Sequence, residues 1–266
     1  MREKLRSAAR LFSHYVRFNL SAGMEYRVSF VTQVLGMVLN NAAFIVFWMV
    51  LYGSLGSSIN GYSFRDVMLL WSLASVGFGS AGVFLGNAPY LSRTIYQGEL
   101  DVYLLQPKPV ICNFLLSRMV ISGWGDMAFG VALYILTQSI TPARTALFVL
   151  FSLLWALVLV SLRIAYHSLT FFLGNAEEFA ETASEMVLSF TLYPGSVFKG
   201  PVVILLYSLI PAALVAYVPA ELIRNFDMGK MLMVLAADSA VVGVAWLMFH
   251  FGLRAYESGN RMGTRV

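Results

Sequence analysis

The sequence is poor in charge and in cysteine, and it lacks the common motifs of nucleotide and metal chemistry. Charged residues make up 12% of the 266 residues, whereas a soluble domain carries about 25%. The single cysteine, Cys112, excludes an internal disulfide and a cysteine-based metal cluster. The patterns GxxxxGK[ST], HExxH and GxSxG are all absent. These absences argue against a soluble enzyme, against a metal centre, and against ATP hydrolysis through a phosphate loop on this chain.

Apolar residues dominate instead. They make up 59% of the chain, and the mean hydropathy is +0.73. One protein core cannot hide so much apolar surface, so lipid must act as the solvent for much of the chain. The net charge of +4 comes from basic residues in the loops between apolar runs, which argues against nucleic acid as a partner.

The first 27 residues combine basic and apolar side chains at helical spacing. Leu5, Ala8, Phe12, Tyr15 and Asn19 share one face, and a second face carries basic groups: Arg6, Arg10, His14 and Arg17. This pattern predicts an amphipathic helix over 1–27 that lies on a membrane surface. A disordered basic tail is the alternative. The apolar run that follows is too long for a cleavable signal peptide, so we expect it to remain as an anchor.

The chain from 28 to 266 predicts an all-α, polytopic membrane bundle with about six transmembrane helices. Gly82 and Gly86 form a GxxxG pair in the second span, which would let another helix approach closely, although chance is an equal explanation. The predicted spans are about 28–52, 66–90, 110–137, 145–173, 176–198 and 231–253.

The region 176–225 is ambiguous because it contains several prolines. One interpretation is a fifth span over 176–198 followed by a re-entrant hairpin over 200–223. The alternative makes 176–198 interfacial and 201–221 the fifth span. Either interpretation leaves an even number of spans.

The basic residues predict the orientation. With the N-terminus in the cytoplasm, eleven loop and terminal basic residues lie on that side and five on the other. We therefore expect a multi-pass protein of the plasma membrane with both termini cytoplasmic. The loop 91–109 is then the longest cytoplasmic loop.

Within that loop, residues 96–105 form a short amphipathic stretch that ends before Pro107 and Pro109. Leu100, Tyr103 and Leu104 share one helical face. Such a helix, held between two spans, suits docking into a groove on another protein. The alternative is a loop helix that rests on the bilayer surface.

The stretch GELDVYLLQPKP in this loop resembles the GELDxxLxxP signature of one branch of the ABC-2 (type-2 ABC) transporter permeases. Further agreement comes from Tyr193-Pro194, Pro211, Val218–Leu222 and Tyr256–Gly259. The sequence departs from the pattern at Gln106, where arginine is common, and at Arg224, where leucine or glycine is commoner.

The resemblance implies a permease subunit without a cofactor of its own, coupled to a separate ATPase subunit that carries ATP and Mg²⁺. It implies a second permease subunit as well, either a copy of this chain or a related one, and a bacterial inner membrane as the location. Gly98, Glu99, Leu100 and Asp101 would lie in the coupling helix that meets the ATPase, with Tyr103 beside them. The N-terminal helix would also contact the ATPase.

Several ionisable residues fall inside predicted spans, where each needs a partner, water or a route to the headgroups. They are Arg118, Asp126, Arg163, His167 and Asp238. Arg118 and Arg163 could extend toward the headgroups. Alternatively, they pair with Glu178, Glu181 and Glu185, which share one helical face, and form a cytoplasmic gate.

Two other functions stay open at this point. A secondary, proton-coupled transporter would use Asp126, Asp238 or His167, but it predicts internal repeats, and none is visible. A membrane enzyme acting on lipids would need clustered catalytic residues at one interface, and the sequence shows no such cluster. The transported substrate cannot be inferred from the sequence.

Overall fold

The computed structural model describes residues 2–55, 58–59, 61–193, 199–201 and 213–256. Residues 202–212 of the predicted re-entrant segment 200–223 lie outside these residues. So do Pro194, Pro211 and residues 257–259 of the motifs quoted above, and the side chains of Leu5 and Ala8.

The described chain is all-α apart from a hairpin of two very short strands. Its helices are α1 (Arg2–Glu25), α2 (Arg27–Leu55), α3 (Phe64–Leu85), α4 (Leu91–Tyr96), α5 (Asp101–Leu104), α6 (Val110–Leu116), α7 (Gly123–Thr137), α8 (Pro142–Ser168), α9 (Thr170–Leu173), α10 (Glu177–Thr191), α11 (Val218–Arg224) and α12 (Met228–Ala255). Strands β1 (Ser58–Ile59) and β2 (Tyr62–Ser63) pair antiparallel between α2 and α3. A 3₁₀ turn, Ala88–Tyr90, precedes α4, and a π-helical turn, Ala213–Tyr217, precedes α11.

Helix α3 is the central element of the bundle. Its start is fixed by a capping box, in which the Ser63 hydroxyl accepts from the Asp66 amide and the Asp66 carboxylate accepts from the Ser63 amide. Most of the helix is buried, chiefly against α7 and α8. A methyl group added at Gly86 would stand 3.0 Å from both the Arg118 carbonyl oxygen and the Val120 nitrogen. A segment of the chain thus does approach closely at the Gly82–Gly86 pair, but it is the non-helical stretch around Arg118–Val120 and not the helix that the pair predicts.

The segment 110–137, predicted as the third span, consists of two helices. Helix α6 ends at Leu116, α7 begins at Gly123, and the chain between them is not helical. The Val120 amide donates to the Gly82 carbonyl of α3 at 2.9 Å rather than to its own helix. The missing side chain at Gly86, one turn later, leaves that carbonyl open, so the break replaces a helical hydrogen bond with one to α3.

Within the described residues, four helical segments are long and apolar enough to cross a membrane: α2, α3, α8 with α9, and α12. The segment 176–198, predicted as the fifth span, contains α10, whose 15 residues extend about 22 Å. That is short of the ~30 Å hydrocarbon core. The structure thus supports an all-α, multi-pass membrane protein with about four candidate spans. The crossings assigned to α6–α7 and α10 remain predictions.

Side-chain contacts define two ends of the bundle. At one end, Asn19 of α1 donates to the Leu116 carbonyl at 2.9 Å, and the Tyr15 hydroxyl donates to Asn113 at 3.3 Å. At the other end, Tyr52 donates to the Tyr62 carbonyl at 2.9 Å, and Gln138 donates to the Arg65 carbonyl at 2.9 Å. The chain from Asn113 to Gln138 therefore runs from one end of the bundle to the other.

Arg224, which departs from the resembled pattern, has a partner at this second end. Its guanidinium forms an ion pair with the Asp66 carboxylate, which also caps α3. The pair joins α11 to the start of the central helix, so the departure supplies a contact that leucine or glycine would lack.

Candidate functional site

The part of the loop between α4 and α6 begins with a compact turn followed by the single-turn helix α5. Gly98 has a φ of +75°, a left-handed conformation that glycine adopts without strain. The turn lets the Glu99 amide donate to the Thr94 carbonyl at 3.0 Å, and α5 starts two residues later. The GELD sequence therefore forms a sharp turn, which fixes the backbone positions of Glu99 and Asp101.

Two of the predicted coupling residues anchor the loop. Leu100 is fully buried in the main apolar core. The Tyr103 ring packs edge-to-face on Phe114 with centroids 5.3 Å apart, and its hydroxyl lies 3.1 Å from the Ser117 hydroxyl. Since Leu100 and Tyr103 both face inward, the surface that a partner could touch consists of other residues.

That outward surface carries Glu99, Val102, Leu104 and Leu105. All four side chains are exposed, and Leu105 is 87% exposed. Exposed aliphatic groups next to a carboxylate, on a rigidly held turn, are typical of a small protein-docking surface. We call these four residues the loop surface. Sequence reasoning had placed Leu104 on the same face as Leu100 and had not singled out Val102 or Leu105.

Gln106 and Asn113 brace the loop from its far side. The Asn113 amide donates to the Gln106 side-chain oxygen at 2.8 Å, and Asn113 also accepts from Tyr15 of α1. Gln106, the second departure from the resembled pattern, thus helps to tie the loop to α6, and Asn113 ties α6 to the N-terminal helix.

Asp101 faces Tyr256, the first residue after α12. Burial, together with the neighbouring Asp101 carboxylate, raises the pKa of the Tyr256 phenol to about 12. The Tyr256 ring also packs edge-to-face on Phe171 of α9, with centroids 6.0 Å apart. The loop is therefore in contact with the end of the last helix as well as with α6.

A polar cavity of about 500 Å³ lies behind the turn. Its lining includes Glu99 and Tyr103 of the loop, Arg93 of α4 and Arg118 of the α6–α7 break. The Arg118 guanidinium lies 3.9 Å from the centre of the Tyr90 ring, a cation–π distance. Arg118 is exposed here, and it does not meet the α10 carboxylates among the described contacts.

A buried polar network links α4 to α8, α9 and α10. The Ser92 hydroxyl lies 2.8 Å from Nδ1 of His167 and accepts from the Thr170 hydroxyl at 2.9 Å. On the other side of the imidazole, Nε2 of His167 lies 4.0 Å from the Glu181 carboxylate. Ser92 and His167 are fully buried, which makes a nucleophilic role for this serine physically unsuitable, because no substrate could reach it without opening the packing.

Sequence reasoning singled out His167 and Glu181 but missed Ser92 and Thr170. No local signal could have found them, since Ser92 lies 75 residues from its histidine partner.

Arg163 lies one helical turn before His167 and completes this region. Its guanidinium lies 5.6 Å from the centre of the Phe78 ring, and Glu181 and Glu185 are close enough to interact with it electrostatically. Glu181 is half-buried, whereas Glu178 and Glu185 are exposed. The structure thus brings together Arg163, His167 and Glu181, with Glu185 at their edge, and leaves Arg118 and Glu178 apart.

The remaining two carboxyl groups are separate from this cluster and from each other. Asp126, in the first turn of α7, is buried and accepts from the Asn41 amide of α2 at 2.7 Å. Asp238 is buried in α12. Within the described ranges, no group of three His, Cys, Asp or Glu side chains is arranged to hold a metal ion.

A family model described as "ABC-2 family transporter protein" matches residues 38–260. The match covers most of the chain, from the middle of α2 to just beyond α12, and includes the whole loop between α3 and α6. A comparison with curated proteins gave no match.

Proposed function

The chain belongs to the ABC-2 family of transporter membrane proteins, and on that premise we propose that it is the permease subunit of an ATP-driven exporter. Family membership implies an ABC ATPase as partner, and an ABC-2 membrane subunit is typically a non-catalytic permease. In the proposed assembly, a separate ATPase subunit binds and hydrolyses ATP with Mg²⁺ and moves this chain through the loop 96–105. The branch with the GELD loop is the one we assign it to.

The observation that carries the proposal is the division of the loop into a buried anchor and an exposed surface. Leu100 and Tyr103 fix the turn to the bundle, while the loop surface of Glu99, Val102, Leu104 and Leu105 faces outward. A push on a loop held this way moves the helices to which it is anchored rather than bending the loop alone. This is the mechanical property that a coupling helix needs.

Three contacts connect the loop to different helices and support this role. Asp101 meets Tyr256 at the end of α12. Gln106 binds Asn113 of α6. Ser92, just before the turn, binds His167 of α8. A displacement of the loop would therefore be transmitted to three of the segments that form the proposed path.

The N-terminal helix supports a second contact with the ATPase. Tyr15 and Asn19 bind α6 at the loop end of the bundle, while Arg6, Arg10, His14 and Arg17 are exposed. In our proposal, this interfacial helix lies at the cytoplasmic membrane surface and turns its basic face toward headgroups or the ATPase.

We further propose six crossings, with both termini and the loop in the cytoplasm of a bacterial inner membrane. The path from Asn113 to Gln138 supports a crossing by α6 and α7 together. For α10, Glu181 in its first half lies beside His167, whereas Tyr193, just past its end, packs on Trp48 with centroids 6.0 Å apart. These contacts at the two ends of α10 support a crossing by this helix as well. A second permease subunit, identical or related, would complete the path.

Arg163, His167, Glu181 and Glu185 form the proposed cytoplasmic gate. Arg163, Glu181 and Glu185 supply the charges between α8 and α10, and the His167 imidazole lies between them and the Ser92 contact that leads to the loop. The attraction between Arg163 and Glu181 holds α8 and α10 together. In our proposal the two helices separate only when the loop moves α4, and with it Ser92, away from His167. Arg118 joins the polar cavity of the loop in this scheme, and Glu178 remains outside.

The test uses the full chain copurified with its ATPase and reconstituted in lipid nanodiscs. Glu99→Arg reverses the charge of the loop surface and should abolish substrate-stimulated ATP hydrolysis or release the ATPase during purification. Glu178→Arg, an equal charge reversal at an exposed position of α10 that belongs neither to the loop surface nor to the proposed gate, should retain both. Full coupling in Glu99→Arg, or solute transport by the purified chain without an ATPase, would overturn the proposal.

A further inference from the structure

Two adjoining cavities lie between α2, α3 and α10, away from the loop, and Phe78 on their wall also faces Arg163 of the gate. Their volumes are about 280 Å³ and 330 Å³, and they share Phe44, Trp71 and Leu192 as lining residues. The first reaches Asp126 and Phe78, and the second reaches Trp48 and Tyr193. We call the two together the aromatic pocket. Its size and its mostly apolar walls are typical of a site for a small organic molecule.

Asp126 is the feature that makes this pocket unusual. It is the only charged side chain among the described residues that line it, and it is only 4% exposed. Its Oδ1 accepts a hydrogen bond from Asn41 at 2.7 Å, whereas its buried Oδ2 has no hydrogen-bond partner in the described chain. A buried carboxyl oxygen without a donor is costly, so a donor from outside the chain would stabilise the site.

Asn41 is held so that it satisfies one oxygen only. Its amide nitrogen also donates to the Met37 carbonyl at 3.1 Å, which fixes the side chain on α2. The indole N–H of Trp71, on the pocket wall, likewise has no acceptor among the described residues. The pocket wall therefore contains a buried acceptor and a buried donor without partners in the described chain, beside a set of aromatic faces.

We propose that the aromatic pocket binds a small amphipathic amine in its protonated form. The ligand ammonium donates an N–H to Oδ2 of Asp126, and its positive charge balances the negative charge of this buried carboxylate. The apolar body of the ligand packs against Phe44 and Trp71. The faces of these rings also attract the ammonium group. An ether or hydroxyl oxygen on the ligand accepts from the Trp71 indole. Taken with the exporter function proposed above, on which this part rests, such amines are the substrate class.

Binding is measured with naphthylmethylamine on the full chain with its copurified subunits in nanodiscs, without nucleotide. Naphthylmethanol has the same ring but no charge, and the trimethylammonium analogue has the charge but no N–H. We expect the amine to bind about tenfold more tightly than the alcohol, or better, with the quaternary analogue in between. Equal affinity for amine and alcohol would overturn the proposal, and a quaternary analogue as tight as the amine would overturn the hydrogen bond to Oδ2.

A matched pair of variants then assigns the site. Asp126→Asn keeps the shape and should remove the preference for the amine, whereas Asp238→Asn, a second buried carboxyl that lines neither cavity, should keep it. An unchanged preference in Asp126→Asn, or an equal loss in both variants, contradicts the proposal. If Asp126→Asn does not fold, the ligand series on the unmodified protein still decides.

The amine-binding experiment and the Glu99→Arg coupling test can fail independently of each other. Amine binding without any effect of Glu99→Arg on ATP hydrolysis would overturn the exporter proposal and leave the pocket. Coupled ATP hydrolysis without a preference for the amine would overturn the amine-binding proposal and leave the exporter proposal standing.

Discussion

The phenol of Tyr256, just beyond the last helix, faces the carboxylate of Asp101 in the GELD turn. The two residues come from stretches of the resembled pattern that are far apart in the sequence, and the fold brings them together at one end of the bundle. The contact gives the turn a direct connection to α12. It also places a tyrosine with a raised pKa outside the membrane-spanning segments, where its titration can be followed.

Alkaline pH should weaken this contact in a defined window. Because the folded-state pKa of Tyr256 is about 12, above its ordinary value of 10.0, the folded protein holds the phenol proton more tightly than the unfolded chain does. The contribution is therefore complete below pH ~10 and is lost as the pH rises through about 12. Thermal unfolding of Tyr256→Phe should lack this component. Tyr26→Phe, at an exposed tyrosine, should behave like the unmodified protein.

Leu100 and Leu105 should separate stability from docking. Leu100→Ala leaves a cavity in the main core and should lower the free energy of unfolding by about 2–5 kcal/mol. Leu105→Ala, at an exposed position, should change it by less than about 0.5 kcal/mol. Leu105→Ala should instead weaken ATPase binding, by about fivefold if it belongs to the centre of the interface. Denaturation curves and titration with the ATPase give the two quantities. Similar effects of both variants on stability would contradict the anchor assignment.

Gly86→Ala should destabilise the bundle. The added methyl group would stand 3.0 Å from backbone atoms of Arg118 and Val120, and overpacking of this kind costs about 1–3 kcal/mol. Gly36→Ala in α2 is the control, because a methyl group there meets nothing within 4 Å. Alanine also favours the helix, so that variant should be as stable as the unmodified protein or slightly more so. Equal stability of the two variants, measured by thermal unfolding, would show that the segments can separate freely.

Arg224→Leu should remove the ion pair with Asp66 while leaving the capping box of α3 intact. The arginine side chain is 36% exposed, so solvent screening limits the expected loss to about 0.5–1 kcal/mol. The loss should shrink as salt concentration rises. Arg65→Leu removes a neighbouring cation without that pair and should have a smaller effect. A loss that does not depend on salt would indicate packing of the arginine stem as the cause.

The sequence by itself determined the class of the protein, four of its apolar segments and the position of the loop along the chain. Composition and the length of apolar runs are enough for this, because lipid imposes the same requirement on every residue of a span. The Gly82–Gly86 pair also indicated a close approach, but not the kind of segment that approaches, since the absence of two side chains can be seen without knowing the neighbour. The sequence did not show the break at 117–122, because its cause is a hydrogen bond to another helix.

Only the tertiary structure decided which side chains meet. It turned Leu100 and Tyr103 inward and left Val102 and Leu105 outside, because a single helical turn next to a core has a direction that periodicity over a few residues cannot give. It paired Ser92 with His167 and Asp101 with Tyr256 across long stretches of chain. Among the described residues it also left one oxygen of Asp126 without a donor, since Asn41 reaches only the other. Such contacts depend on the packing of several helices at once, and no local pattern in the sequence encodes them.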